Sequence, residues 1–165
     1  MFKSLVILLA AIAVTSAHSA AQATVRVQPA NLQGPRTLQE QTASAVIRDY
    51  LQSWRSFSAA LEQNRAGLLD SAFVGAAKDQ LAATIMQQTK LGMRVKYQDR
   101  SHDIRIVFYS PEGQSVELID KVEYDVQILD RDTVKATQRV TGRYIVVLTP
   151  AEVRWRVRVF QEESE

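Results

Sequence analysis

The spacing of hydrophobic residues differs between the first and second parts of this chain. Between residues 37 and 91, apolar side chains recur every three or four positions, which is typical of amphipathic helices. The clearest such series is Val46, Ile47, Tyr50, Leu51, Trp54, Phe57 and Leu61. From Gly92 to Phe160, apolar and polar residues alternate, as in half-buried strands. The order predicts an α+β fold, with N-terminal helices, one of them long, packed on a curved four-stranded antiparallel meander that forms a cone-like barrel.

A capping-box pattern and two glycines mark the ends of the predicted helices. Residues 37–40 read Thr-Leu-Gln-Glu, the form of a capping box, so we expect the long helix to begin at Thr37. A short helical piece is expected over residues 66–73. A third helix is expected to begin after Gly75 and to end at Gly92, because glycine is the usual residue just past a helix end.

Short turns connect the predicted strands. The first turn places proline second and glycine fourth, as type I turns prefer. The last strand is expected to run from Val153 to Phe160. The three turn segments are residues 110–113 (Ser-Pro-Glu-Gly), 130–132 (Asp-Arg-Asp) and 149–152 (Thr-Pro-Ala-Glu).

The N-terminus has the pattern of a secretory signal peptide. Lys3 precedes the apolar run Leu5–Val14, and small residues follow up to Ala23. The run is about half the length of a bilayer-spanning helix, so we expect cleavage near Ala23 and no stable membrane span afterwards. The expected location is secreted or periplasmic. The alternative is an uncleaved N-terminal anchor.

The remaining chain divides into a leader and one domain. Residues 1–23 are the predicted signal peptide, and residues 24–36 are a leader or linker interrupted by proline and glycine. A short edge strand is expected within the leader at Thr24–Gln28. Residues 37–162 are expected to form a single domain.

Composition excludes several chemistries. The chain has 20 basic and 18 acidic residues, a formal charge of +2, which is too weak a field to predict nucleic-acid binding. It has no cysteine and two histidines, one of them within the predicted signal peptide. Thiolate chemistry and zinc sites built from paired histidines are therefore excluded, and we expect no metal and no cofactor.

The chain resembles the nuclear transport factor 2-like superfamily, which includes ketosteroid isomerase and SnoaL-like polyketide cyclases. The resemblance rests on Tyr50 and Trp54 in the long helix, on the short helix at residues 68–73, and on the closing segments 142–150 and 154–157. It implies a cone-shaped α+β barrel. Function does not follow, because this superfamily includes enzymes, ligand binders and protein-binding modules.

One carboxylate is expected inside the apolar cone. Asp120 is the only charge in the inward stripe of its strand. The turn registers place Ile104 opposite Asp120, His102 diagonal to it, and Gly142 on its other side. An apolar setting beside an imidazole shifts a carboxyl pKa and favours proton abstraction, so Asp120 and His102 are weak catalytic candidates. The alternative is a solvated Asp120 at the cone rim with no catalytic role.

The same face supplies candidates for a small apolar ligand. A glycine beside Asp120 would leave room for such a ligand, and aromatic side chains would surround it. In ketosteroid isomerases a tyrosine or an acid donates a hydrogen bond next to the Asp base. The candidate pocket residues are Tyr50, Trp54, Tyr124, Gly142 and Tyr144.

The opposite, convex face of the sheet is a candidate interface. Ile145 and Val147 point to this side, so the run from Ile145 to Leu148 is apolar on both faces. Arg154 and Arg156 on the last strand provide a basic rim. A homodimer or partner protein would cover this surface. The alternative is that the leader folds back over it.

The sequence is compatible with three functions. The leading one is a secreted or periplasmic, non-enzymatic domain that binds a small ligand or a protein partner and self-associates. The second is a ketosteroid isomerase-like or SnoaL-like enzyme with an Asp base in an apolar pocket. The third is a membrane-anchored component of envelope assembly.

Overall fold

The computed structural model describes residues 22–163, so most of the predicted signal peptide lies outside the described residues. No helix among these residues is long and apolar enough to cross a membrane. The elements are β1 (Thr24–Val27), α1 (Glu40–Gln63), a 3₁₀ helix (Ala66–Leu69), α2 (Gly75–Lys90), β2 (Met93–Tyr109), β3 (Val116–Asp130), β4 (Thr133–Pro150) and β5 (Trp155–Glu162).

The strands form one open, curved sheet in the order β1-β2-β3-β4-β5. Strands β2 to β5 are an antiparallel meander, which confirms the predicted α+β class. The predicted edge strand is also present, because β1 pairs with β2 in the parallel direction. The sheet is therefore mixed, with β1 and β5 at its two edges.

Helix α1 lies along the concave face of the sheet and provides much of the core. Val46, Tyr50, Trp54, Phe57 and Leu61 are all buried, as their spacing predicts. The predicted start at Thr37 is wrong, because α1 begins at Glu40 without a side-chain cap. Gln39 precedes it in an extended conformation, so the capping box does not form.

The register between β2 and β3 is the predicted one, with Ile104 opposite Asp120. The predicted register between β3 and β4 is wrong. Tyr144 lies opposite Asp120, and Gly142 lies opposite Val122. Two local features produce the shift: β4 pairs with β3 immediately after the loop of residues 131–132, and Lys135 is bulged out of the ladder. Neither feature follows from hydrophobic alternation.

The leader follows the edge of β2 instead of crossing the sheet. After β1, the backbone N–H groups of Gln28, Asn31 and Gln33 donate to carbonyl groups of β2 at 2.8, 3.0 and 2.8 Å. The leader therefore extends the sheet sideways. The alternative that it folds over Ile145 and Val147 on the convex face is wrong.

Candidate functional site

His102 and Asp120 are in direct contact beneath α1. His102 Nδ1 lies 2.7 Å from Asp120 Oδ2, and the side chains are 2% and 0% exposed. The diagonal placement expected from the register brings them together, since neighbouring strands carry them on the same face. The alternative of a solvated Asp120 at the cone rim is wrong.

Protein donors occupy both oxygens of Asp120. The Tyr50 hydroxyl donates to Oδ2 at 2.7 Å, and the backbone N–H of Asp103 donates to Oδ1 at 3.1 Å. Together with His102, these contacts supply the carboxylate with the partners that a buried charge needs. Asp120 therefore links α1 to β2.

Asp99 completes the network from the other side of the imidazole. Its Oδ2 lies 3.7 Å from His102 Nε2, and its Oδ1 accepts a hydrogen bond from Trp54 Nε1 at 2.5 Å. The register shift between Asp99 and Ser101 turns Asp99 inward. Strict alternation from His102 would place Asp99 on the convex face, so sequence reasoning missed it.

The two carboxylates hold the imidazole in its charged form. Burial lowers the pKa of His102, but hydrogen bonds and charge attraction from Asp120 and Asp99 outweigh that effect and raise the pKa to about 9. His102 is therefore an imidazolium at neutral pH. It binds both acids electrostatically and has no free nitrogen lone pair to accept a proton.

Aromatic rings fill the concave side of the sheet. Trp54 is 1% exposed, and its ring centroid lies 5.3 to 6.4 Å from six other rings. These belong to Phe57, Tyr97, His102, Tyr124, Tyr144 and Phe160. The candidate pocket residues Tyr50, Trp54, Tyr124 and Tyr144 are therefore brought together as a packed core.

The tyrosine hydroxyl groups in this core pair with protein groups. Tyr124 and Tyr144 place their hydroxyl oxygens 3.0 Å apart, and Tyr97 stacks on Tyr124 with ring centroids 4.7 Å apart. Burial is the main cause that raises the pKa of Tyr50, Tyr97, Tyr124 and Tyr144. These phenols stay neutral at physiological pH.

Gly142 leaves space that other side chains fill. A Cβ atom added there would lie 2.7 Å from Glu162 Oε1 and 2.9 Å from Tyr144 Cε2. Both distances are shorter than a normal contact. The glycine is therefore required by close packing of Tyr144 and Glu162, and it lies opposite Val122 rather than next to Asp120.

Comparison with solved structures identifies the architecture. The intermembrane space region of the chloroplast protein ARC6 superposes with a TM-score of 0.63 at 14% identity, covering 79% of this chain and all of that one. A scytalone dehydratase-like protein from Novosphingobium aromaticivorans superposes with a TM-score of 0.52 at 11% identity, covering 76% and 89%. The third similar structure is a dehydratase-like protein of the NTF2-like family from Streptomyces avermitilis.

That third structure superposes with a TM-score of 0.50 at 8% identity and covers 72% of this chain and 96% of the other. The chain has the nuclear transport factor 2-like fold. The resemblance inferred from the sequence is thereby confirmed for the fold. No protein-family model and no curated protein sequence matches the chain, so these similarities show the fold alone.

The convex face of this nuclear transport factor 2-like sheet carries a mixed apolar and charged surface. Ile119, Ile145 and Val147 are half-buried at its centre. A groove crosses the face beside them. Its lining residues are Lys121, Thr141, Gly142, Arg143, Ile145, Gln161, Glu162 and Glu163.

The predicted arginine rim is only partly present. Arg154 is exposed but lies in the loop before β5, since the strand begins at Trp155 and not at Val153. Arg156 donates hydrogen bonds to the carbonyl oxygens of Asp70 and Phe73. Its guanidinium therefore ties β5 to the segment after the 3₁₀ helix, so Arg156 does not contribute to the expected basic rim.

Two further carboxylates have structural partners. Asp49 of α1 is buried and accepts the backbone N–H of Trp155 at 2.8 Å. Asp125 accepts hydrogen bonds from Arg139 and Arg100, each through a guanidinium Nε at 2.9 Å. These bonds lower the pKa of Asp125. Among residues 22–163, no group of three or more acidic or histidine side chains is arranged to hold a metal ion.

Proposed function

We propose that this chain is a non-enzymatic domain of the cell envelope or secreted space, and that it pairs with a second copy through the convex face of its sheet. The observation that carries the proposal is a contrast between the two faces. The concave face is packed with aromatic rings around Trp54. The convex face presents Ile145 and Val147 among charged side chains.

The contacts of Asp120 support a structural role over a catalytic one. A general base needs an oxygen directed at the substrate proton. Here Tyr50, His102 and the Asp103 backbone already donate to the carboxylate. His102 is held as a cation between two acids and is therefore a poor base. The filled cone also favours a protein partner over a small apolar ligand.

The charges of the convex face suit a two-fold interface. Lys121 lies opposite Arg143 in the ladder, while Glu117, four residues earlier on β3, lies opposite Val147. In a two-fold pair, each patch meets the same patch reversed, so basic positions of one copy face acidic positions of the other. The apolar residues at the centre then supply the buried area.

The location rests on the N-terminal sequence pattern. Lys3, the apolar run Leu5–Val14 and the small residues up to Ala23 predict export and cleavage. The ARC6 region of the same fold belongs to an intermembrane space, so the fold suits a compartment outside the cytosol. The chain has no cysteine, so the domain needs no disulfide to fold there.

Sedimentation equilibrium of the wild type and of Ile145→Asp tests the proposal. The wild type should form a dimer at micromolar concentration. Ile145→Asp should be monomeric, because it places a charge at the centre of the interface. Val153→Asp is the matched control, since Val153 is 83% exposed in the β4–β5 loop and away from this face. A monomeric wild type, or a dimer insensitive to Ile145→Asp, contradicts the proposal.

A further inference from the structure

Strand β1 is an open edge of the sheet. It is four residues long, all four are exposed, and it pairs on one side with β2. Among residues 22–163, no strand pairs with its other side. An edge strand of this kind carries unpaired backbone groups on which another strand can add.

The outward backbone groups belong to Val25 and Val27. The N–H of Gln28 donates to the carbonyl oxygen of Ile104 at 2.8 Å, so Gln28 faces β2. Backbone groups alternate in direction along a parallel strand, so those of Arg26 also face β2. The N–H and C=O groups of Val25 and Val27 therefore point away from the sheet.

An apolar groove adjoins this edge on the side facing α1. Val25 is in register with His102 and Val27 with Ile104, so the valine side chains lie on the concave side. They are 43% and 54% exposed. The groove has a volume of about 440 Å³, within the usual range of binding clefts. Its lining residues are Val27, Gln28, Ala30, Glu40, Ala43, Ser44, Ile47 and Ile106.

The other face of the edge carries a positive charge. Arg26 is exposed and in register with Asp103 on the convex side. The carboxylate oxygens of Asp103 accept hydrogen bonds from the Gln28 amide at 2.8 and 3.1 Å. Within the described part of the chain, Arg26 forms no ion pair. It is thus placed to meet an acid on an added strand.

We propose that β1 is a strand-addition site for an extended peptide of a partner protein with the pattern apolar-acidic-apolar. The peptide forms backbone hydrogen bonds with Val25 and Val27. It places its apolar side chains toward the groove beside Val27 and its acid beside Arg26. A second copy of β1 fits less well. The register that pairs Val25 with Val27 of the second copy also brings the two Arg26 side chains opposite each other.

A fluorescent pentapeptide tests this site. The probe is Ser-Val-Glu-Val-Thr with blocked ends, and its partner probe has lysine in place of glutamate. Fluorescence anisotropy with the purified full chain should show tighter binding of the glutamate probe. The same glutamate probe with every backbone nitrogen methylated cannot donate the strand hydrogen bonds and should not bind.

Two variants of Val27 distinguish the contribution of its backbone N–H to peptide binding from that of its side chain. Val27→Pro removes the outward N–H without removing a bond to β2, and proline is tolerated at such edge positions. Val27→Ala keeps the N–H and shortens the side chain. Val27→Pro should weaken binding by about tenfold relative to Val27→Ala, the effect of one or two lost hydrogen bonds. Equal affinities of the two variants overturn the strand-addition mode.

A charge reversal tests the specificity. Arg26→Glu should invert the preference, so that the lysine probe binds more tightly than the glutamate probe. An unchanged preference overturns the role of Arg26, and wild-type protein that binds neither probe overturns the site. Self-association lost in Val27→Pro and retained in Ile145→Asp would show instead that β1 pairs with a second copy. The site does not depend on the convex interface, so the two proposals fail separately.

Discussion

His102 Nδ1 and Asp120 Oδ2 lie 2.7 Å apart in a part of the molecule that solvent barely reaches. The contact joins β2 to β3, and through the Tyr50 hydroxyl it also joins the sheet to α1. A buried charge pair of this kind is unfavourable to break, because a single remaining charge has no compensation. The pair therefore fixes the helix on the sheet.

The stability of the protein should fall as the pH rises from neutral to alkaline. The folded-state pKa of His102 is raised to about 9, above the value of about 6.5 expected in the unfolded chain. The stabilisation is thus complete below pH 6.5 and is lost as the pH rises through 9. We expect the free energy of unfolding in urea to decrease by on the order of 2–3 kcal/mol between pH 6 and 10.

Nuclear magnetic resonance titration of the His102 ring protons checks the cause of this pH dependence. The midpoint should lie near 9. A midpoint near 6.5 would mean that the imidazole does not interact with Asp99 and Asp120 as described.

Replacing Asp120 by asparagine should strongly destabilise the fold. Asp120→Asn keeps the shape of the side chain but leaves the His102 imidazolium with one acid, Asp99, at a longer distance. Removing one partner of a buried ion pair costs about 3–5 kcal/mol. Tyr50→Phe is the matched control, because it removes one hydrogen bond to the same oxygen and should cost about 1 kcal/mol. Chemical denaturation measures both. If Asp120→Asn costs no more than Tyr50→Phe, the network does not carry the stability assigned to it.

Adding a methyl group at Gly142 should disturb the core. Gly142→Ala places a Cβ against Tyr144, whose ring stacks on Phe160 with a centroid distance of 5.0 Å and cannot move freely. We expect a loss of about 1–3 kcal/mol, as for other overpacked sites. Gly67→Ala serves as control, since no atom lies within 4 Å of its added Cβ. Equal thermal midpoints for the two variants would argue that space remains beside Gly142.

Hydrophobic periodicity predicted the elements of this fold better than their registers. The spacing of Tyr50 and Trp54 identified the buried face of α1. The predicted pairing of Ile104 with Asp120 is also present, with a bulge at Val107 between this pair and the turn at residues 110–113. The turn between β3 and β4 was less informative. A bulge at Lys135 carries no hydrophobic signal, so Gly142 was assigned to the wrong partner.

The sequence predicted which two residues meet at the candidate site, but it did not predict the second acid beside them. Alternation brought His102 and Asp120 to one face, as the structure has them. The bulge before Ser101 adds Asp99 to the same cluster, where it acts together with Asp120 to hold the imidazole, a catalytic candidate, as a buried cation. No local sequence pattern marks that bulge.

Cross-linking at Gln161 tests the central claim, which is association through the convex face. Gln161 is exposed and lies opposite Ile145 in the ladder, and the chain has no natural cysteine. Two packed sheets lie about 10 Å apart, so a short bis-maleimide should join two copies of Gln161→Cys but not of Val153→Cys. The linked dimer should disappear when Ile145→Asp is added. Equal cross-linking at both positions, or none at Gln161→Cys, contradicts the account.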